Sequence, residues 1–125
     1  MAAAPQYVGT AKSPTVSIAT ANTNRDSATG TYGTLMTAGA SGSRIDRIRV
    51  NATGTTTAGM VRLFVGTALI YELPVTAITP SATQPAWAAD IVFDNGLILA
   101  ASTVVKASTN NAETFVLTGI SAGDF

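Results

Sequence analysis

The sequence contains no cysteine and no histidine. The first absence excludes disulfides, thiolate metal sites and thiol nucleophiles. The second removes the commonest general base and metal ligand, and the one side chain that ordinarily titrates near neutral pH. Aromatic residues make up 6% of the chain and charged residues 11%, although 46% is hydrophobic. The apolar bulk is therefore mostly Ala, Val, Ile and Leu, which builds a thin core of small side chains. Seven basic residues balance seven acidic ones, for a formal net charge of zero. A nucleic-acid binder draws most of its affinity from neutralising phosphates and usually carries a basic excess, so no nucleic-acid partner is expected. Apolar runs are short and broken by Thr, Pro or charge, far below the roughly 20 residues of a spanning helix, so no membrane partner is expected. The opening "MAAAPQYVGT" has neither a basic n-region nor an apolar h-region and does not read as a secretory signal.

What is present is a β pattern. At 125 residues the chain has the size of one domain with one core. No window holds the i, i+3, i+4, i+7 apolar spacing of a helix, whereas alternation recurs. In "TVSIAT" Val16 and Ile18 share a side. In "DRIRVNA" Ile48, Val50 and Ala52 face away from Arg47, Arg49 and Asn51. "MVRLFV" sets Val61, Leu63 and Val65 against Met60, Arg62 and Phe64. "AWAADIVFD" sets Trp87, Ala89, Ile91 and Phe93 against Ala88, Asp90, Val92 and Asp94. "ETFVLTG" repeats the pattern with Phe115 and Leu117. Clusters of Gly, Pro, Asn and Ser punctuate these runs, among them "TGTYGT", "AGASGS", "TPSATQP", "DNG" and "STNNAE". Strands are expected near 15–20, 33–38, 44–52, 60–66, 69–74, 86–94, 97–107 (as one strand or two short pieces) and 113–119. Such short strands at regular spacing predict an all-β, single-domain, antiparallel two-sheet β-sandwich. Jelly-roll topology is favoured, with an immunoglobulin-like sandwich as the runner-up. Residues 1–14, with Pro5 and Pro14 flanking "YVGTAK", read as an extended N-terminal arm, and residues 15–125 as the sandwich.

The residues that chemistry needs are thinly spread. Asp90 and Asp94 lie four apart on one strand, roughly 13 Å at about 3.3 Å per residue. That is wider than the about 6.5–9.5 Å of an inverting glycosidase pair. Asp94 instead opens the "DNG" turn signal. Without histidine, a serine nucleophile could be activated only by lysine. Lys12 beside Ser13 and Lys106 near Ser108 carry no surrounding motif. "GASGS" and "TGTYG" lack the lysine and following helix of a phosphate loop. No acidic spacing suits calcium. Trp87 lies on the apolar side of its strand and reads as core rather than as a sugar platform. The expectation is a non-enzymatic protein with no cofactor.

The charge that exists is concentrated in "SRIDRIRV", residues 43–50. Arg47 and Arg49 share a strand face with Ile45, and Arg62 on the following strand is expected beside them. Adjacent cations need acidic partners, with Glu72, Asp90 or a neighbouring subunit as the candidates. Arginine outnumbers lysine (Arg25, Arg44, Arg47, Arg49 and Arg62 against Lys12 and Lys106), and arginine is enriched at protein interfaces. Arg47, Arg49 and Arg62 are therefore the candidate subunit-interface residues.

"YVGT", "ATANTNRD", "GSRIDRIRVNATGTTTAGMVRLFV" and "FDNGLILAASTVVKASTNNAETFVLTG" together resemble a group of small virion structural proteins of tailed bacteriophages, and among them capsid decoration (cement) proteins. The resemblance implies a protein of the outer capsid surface, assembled in the host bacterial cytoplasm, that stabilises the capsid. It implies the major capsid protein and further copies of itself, commonly as a homotrimer, as partners. By the same analogy the arm and the arginine face would lie at subunit contacts. A tail or fibre β-sandwich that binds a host surface glycan is the alternative.

Overall fold

Alternating side chains become two antiparallel sheets packed face to face. The computed structural model describes residues 8–125, so residues 1–7 of the expected arm lie outside the described residues. The strands are β1 (Thr10–Lys12), β2 (Thr15–Ile18), β3 (Gly33–Thr37), β4 (Ser43–Ala52), β5 (Gly59–Val65), β6 (Ala68–Val75), β7 (Ala88–Leu99), β8 (Val104–Thr109), β9 (Phe115–Ile120) and β10 (Ala122–Asp124). No helix occurs among the described residues.

In the larger sheet β4 is flanked by β7 on one side and by β9 and β10, end to end, on the other. Beyond them, β2 pairs with β9 and β1 with β10. The smaller sheet runs β3-β8-β5-β6. The described part of the arm is extended, and it is the outermost strand of its own sheet, with Thr10 opposite Asp124 and Lys12 opposite Ala122.

The core fills the space between the sheets. Ile45, Ile48, Val50, Ile91, Phe115 and Leu117 of the larger sheet meet Leu35, Val61, Leu63, Leu73, Val105 and Ala107 of the smaller one. Trp87 is buried and sets its ring edge-on to Phe115, with centroids 5.7 Å apart and planes at 90°. Such a pair adds to the burial of two large rings in a core otherwise made of small side chains.

The "DNG" segment is not a hairpin turn. β7 pairs with β4 on both sides of it, Ile91 opposite Ile48 and Leu97 opposite Ile45, and the register shifts between them. Asn95 (φ 63°) and Gly96 (φ 81°) take the left-handed conformation that their residue types favour. The strand continues beyond them, so the result is a bulge. The same shift turns Ile45, expected beside Arg47, fully into the core. The 97–107 run divides between the sheets. β7 ends at Leu99, a tight turn contains Ser102 (φ 63°), and β8 begins at Val104.

Interruptions in the larger sheet fall at one level. Ser121 (φ 53°) separates β9 from β10. Pro14 lies between β1 and β2, and its carbonyl accepts a bond from Gly119 N at 2.9 Å. Asp46 of β4 stands opposite the β7 bulge. Together these breaks crease the sheet across its strands.

Gly42 tests how tightly the crossover into β4 is held. It has φ 86°, and a Cβ there would lie 2.6 Å from the Leu99 carbonyl oxygen. Gly42→Ala is expected to cost about 1–3 kcal/mol in strain. Gly54→Ala, where nothing lies within 4 Å, should stay within about 0.5 kcal/mol of the parent. Urea denaturation of the two variants, compared with the parent, checks the contrast.

Candidate functional site

The three arginines do not form one face. Arg47 and Arg49 are exposed on the outer side of the larger sheet, as their alternation with Ile48 and Val50 requires. Arg62 belongs to the other sheet and is 3% exposed. Its side chain points away from the core between Val61 and Leu63, yet it is covered, because the segment joining β2 to β3 lies over that side. The expected interface role of Arg62 is therefore replaced by contacts within the chain. Its Nε donates to Glu72 Oε2 at 3.2 Å, and its Nη1 donates to Asn22 O at 3.4 Å and Asn110 Oδ1 at 3.3 Å.

The covering segment is fixed by its own polar residues. Asp26 accepts bonds from the Ala28 and Thr29 amides, the Thr29 hydroxyl and Tyr32 Oη. Tyr32 sets its ring edge-on to Phe64, with centroids 5.1 Å apart. Lys106 Nζ donates to Ser27 O at 2.6 Å and lies 4.6 Å from the Tyr32 ring centre. Arg25 Nε reaches both oxygens of Glu72. No alternation marks this segment in the sequence, although Asp26 followed three residues later by a hydroxyl is a local capping signal.

The acidic candidates for Arg49 and Arg62 are the ones the structure supplies. Arg49 Nη1 meets Asp90 Oδ1 at 3.1 Å and Arg62 meets Glu72, both within the chain. Arg44 pairs with Asp46 at 2.7 Å and Lys12 with Asp124 at 3.0 Å. Among the described residues, Arg47 is the one arginine without a carboxylate within salt-bridge distance. It lines a cavity of about 310 Å3 at the crease, with Asp46, Val92, Phe93, Asn95 and Ile120 among its neighbours. On the same sheet, Val92 opposite Arg47 is 65% exposed and Ile98 opposite Arg44 is 59% exposed, both on β7.

Three carboxylates are held below their ordinary range. The Ala28 amide, then Thr29, does this for Asp26. The Arg25 guanidinium does so for Glu72, and the Ser43 hydroxyl followed by Lys12 for Asp124. A carboxylate lowered on folding adds stability above its unfolded pKa, and that stability is lost as pH falls through the folded value. With no histidine to titrate near neutrality, the thermal midpoint should be level between about pH 5.5 and 9 and should fall below about pH 4. Calorimetry across that range checks it. A step near pH 6.5 would contradict it.

No group of three or more metal-ligating carboxylates is present among the described residues, and no helix there is long and apolar enough to cross a membrane. No protein-family model matches the chain, and neither a curated protein nor a solved structure does.

Proposed function

We propose that this is a non-enzymatic structural protein of a tailed-bacteriophage virion, one that decorates the outer capsid and stabilises it through contacts with the major capsid protein and with its own copies, as a homotrimer. The observation that carries the reading is where the polar groups sit. Six of the seven acidic side chains, all but Asp94, lie in bonds that hold the fold, while Arg47, Val92 and Ile98 remain exposed on one sheet face. That distribution suits assembly, in which a surface is buried against a partner, rather than turnover in a cleft. Counting each end-to-end pair of strands as one, the larger sheet has the order first-eighth-third-sixth and the smaller second-seventh-fourth-fifth. This order supports reading the sandwich as a jelly roll, a fold common in capsid components.

The test is addition of purified protein to capsids that lack it. Co-sedimentation with those capsids, and higher survival of heat and low salt, are expected. Capsids that neither bind the protein nor change in stability would overturn the reading. A second reading, a tail or fibre module that binds a host glycan, is favoured by Tyr71, which is 43% exposed on β6. Retention on immobilised host glycans that Tyr71→Ala abolishes would support it.

A further inference from the structure

We propose that the creased face of the larger sheet is a contact between copies of this chain, in which Asp94 of one copy pairs with Arg47 of the next. The inference rests on the self-association in the reading above and names the residues that make it.

Charge pairing within the chain identifies the two groups. Arg25 and Arg62 share Glu72, Arg44 has Asp46, Arg49 has Asp90, and Lys12 has Asp124. Lys106 is held by Ser27 O and the Tyr32 ring, and Glu113 accepts from the Thr57 amide and hydroxyl. Asp26 is held by the Ala28 and Thr29 amides, the Thr29 hydroxyl and Tyr32 Oη, which leaves Arg47 and Asp94, among the described residues, as the charged side chains with neither an ion pair nor a side-chain hydrogen bond. The chain has a formal net charge of zero, so one cation and one anion left on the same surface are complementary between copies.

Shape and apolar surface point the same way. Arg47 borders the cavity of about 310 Å3. Asp94 belongs to the β7 bulge beside it, where the chain leaves the regular ladder to pass through the left-handed Asn95 and Gly96. A recess with a cation and an exposed corner with an anion therefore adjoin on one face. Arg47 is opposite both Val92 and Ile120 in the sheet register. Val92 and Ile98 are the most exposed large apolar side chains on this sheet, and they supply the area that a single ion pair cannot. A patch in which cation and anion adjoin is self-complementary, so copies related by a rotation axis can set the Asp94 corner of one against the Arg47 recess of the other.

Charge reversal and exchange test the contact. Wild-type protein, Arg47→Glu, Asp94→Arg and the double exchange are compared by sedimentation equilibrium, with circular dichroism confirming that each is folded. Wild type is expected to associate. Each single reversal sets like charges together and should weaken association by at least about tenfold. The double exchange, which restores the opposite pair in reversed sense, should recover most of the loss. Arg49→Glu, which meets Asp90 outside the cavity, is the control and should keep the assembly.

A monomeric wild type at all accessible concentrations would overturn the inference. So would single reversals that leave association unchanged, or a double exchange no better than the singles. Capsid co-sedimentation of the same proteins separates this inference from the reading it rests on. A monomer that still binds capsids overturns only the self-contact, whereas a protein that does neither overturns both.

Discussion

Replacing Phe115 by alanine is expected to destabilise the protein by about 3–5 kcal/mol. Phe115 is 1% exposed, begins β9, and stands opposite Ala52 on β4 and Ile18 on β2. Its ring meets Trp87 edge-on, so truncation removes apolar burial and an aromatic contact together. Few large side chains are available to collapse into the space, because aromatics make up only 6% of the chain. The loss is a large share of the roughly 5–15 kcal/mol that stabilises a domain. Trp87 is the single tryptophan, and its emission reports both the altered contact in the folded state and the urea midpoint. A change below about 1 kcal/mol would place this pair outside the cooperative core.

The second large effect is expected at Arg62. Arg62→Ala should cost about 2–4 kcal/mol. Glu72 keeps Arg25 as a partner, so the loss does not come from a stranded carboxylate. It comes from the vacated volume and from Asn22 O and Asn110 Oδ1 losing their donor. Because Asn22 belongs to the segment over the smaller sheet, its loosening should also speed tryptic cleavage after Arg25. Arg49→Ala, at an exposed pair, should cost less than about 1 kcal/mol and leave that cleavage rate unchanged. Equal effects at the two sites would show that Arg62 is not an internal tie.

The sandwich was legible because period-two alternation survives wherever a strand has one packed face. Ile48 and Val50 against Arg47 and Arg49, or Ile91 against Asp90 and Val92, are sorted by the sheet as their spacing requires. Reading failed where a local signal has two structural outcomes. Asp94-Asn95-Gly96 has the residue types of a hairpin turn, and its left-handed angles are present, but the pairing of β7 with β4 continues past them. Short strands with little alternation were also missed. β10, "AGD", contains too few side chains to show a period, and it is held by β4 on one side and β1 on the other.

The candidate site was legible in part. Sequence spacing places Arg47 and Arg49 on one side of a strand, and Asp90 and Glu72 were among the expected acidic partners. It could not show that β4 and β5, consecutive in sequence, belong to different sheets. Arg62 alternates correctly with Val61 and Leu63, but what covers its side depends on the path of residues 19–32, which no periodicity encodes. The unpaired state of Arg47 and Asp94 emerges only when every other ion pair is known.

The measurement that bears most directly on the proposed role is cryo-electron microscopy of the intact particle, with this chain located in the density. The sandwich is expected on the outer capsid at local threefold or quasi-threefold positions, with the creased face of the larger sheet turned toward the neighbouring copy. Density for the chain on the tail or fibres, with the capsid surface bare, would contradict it.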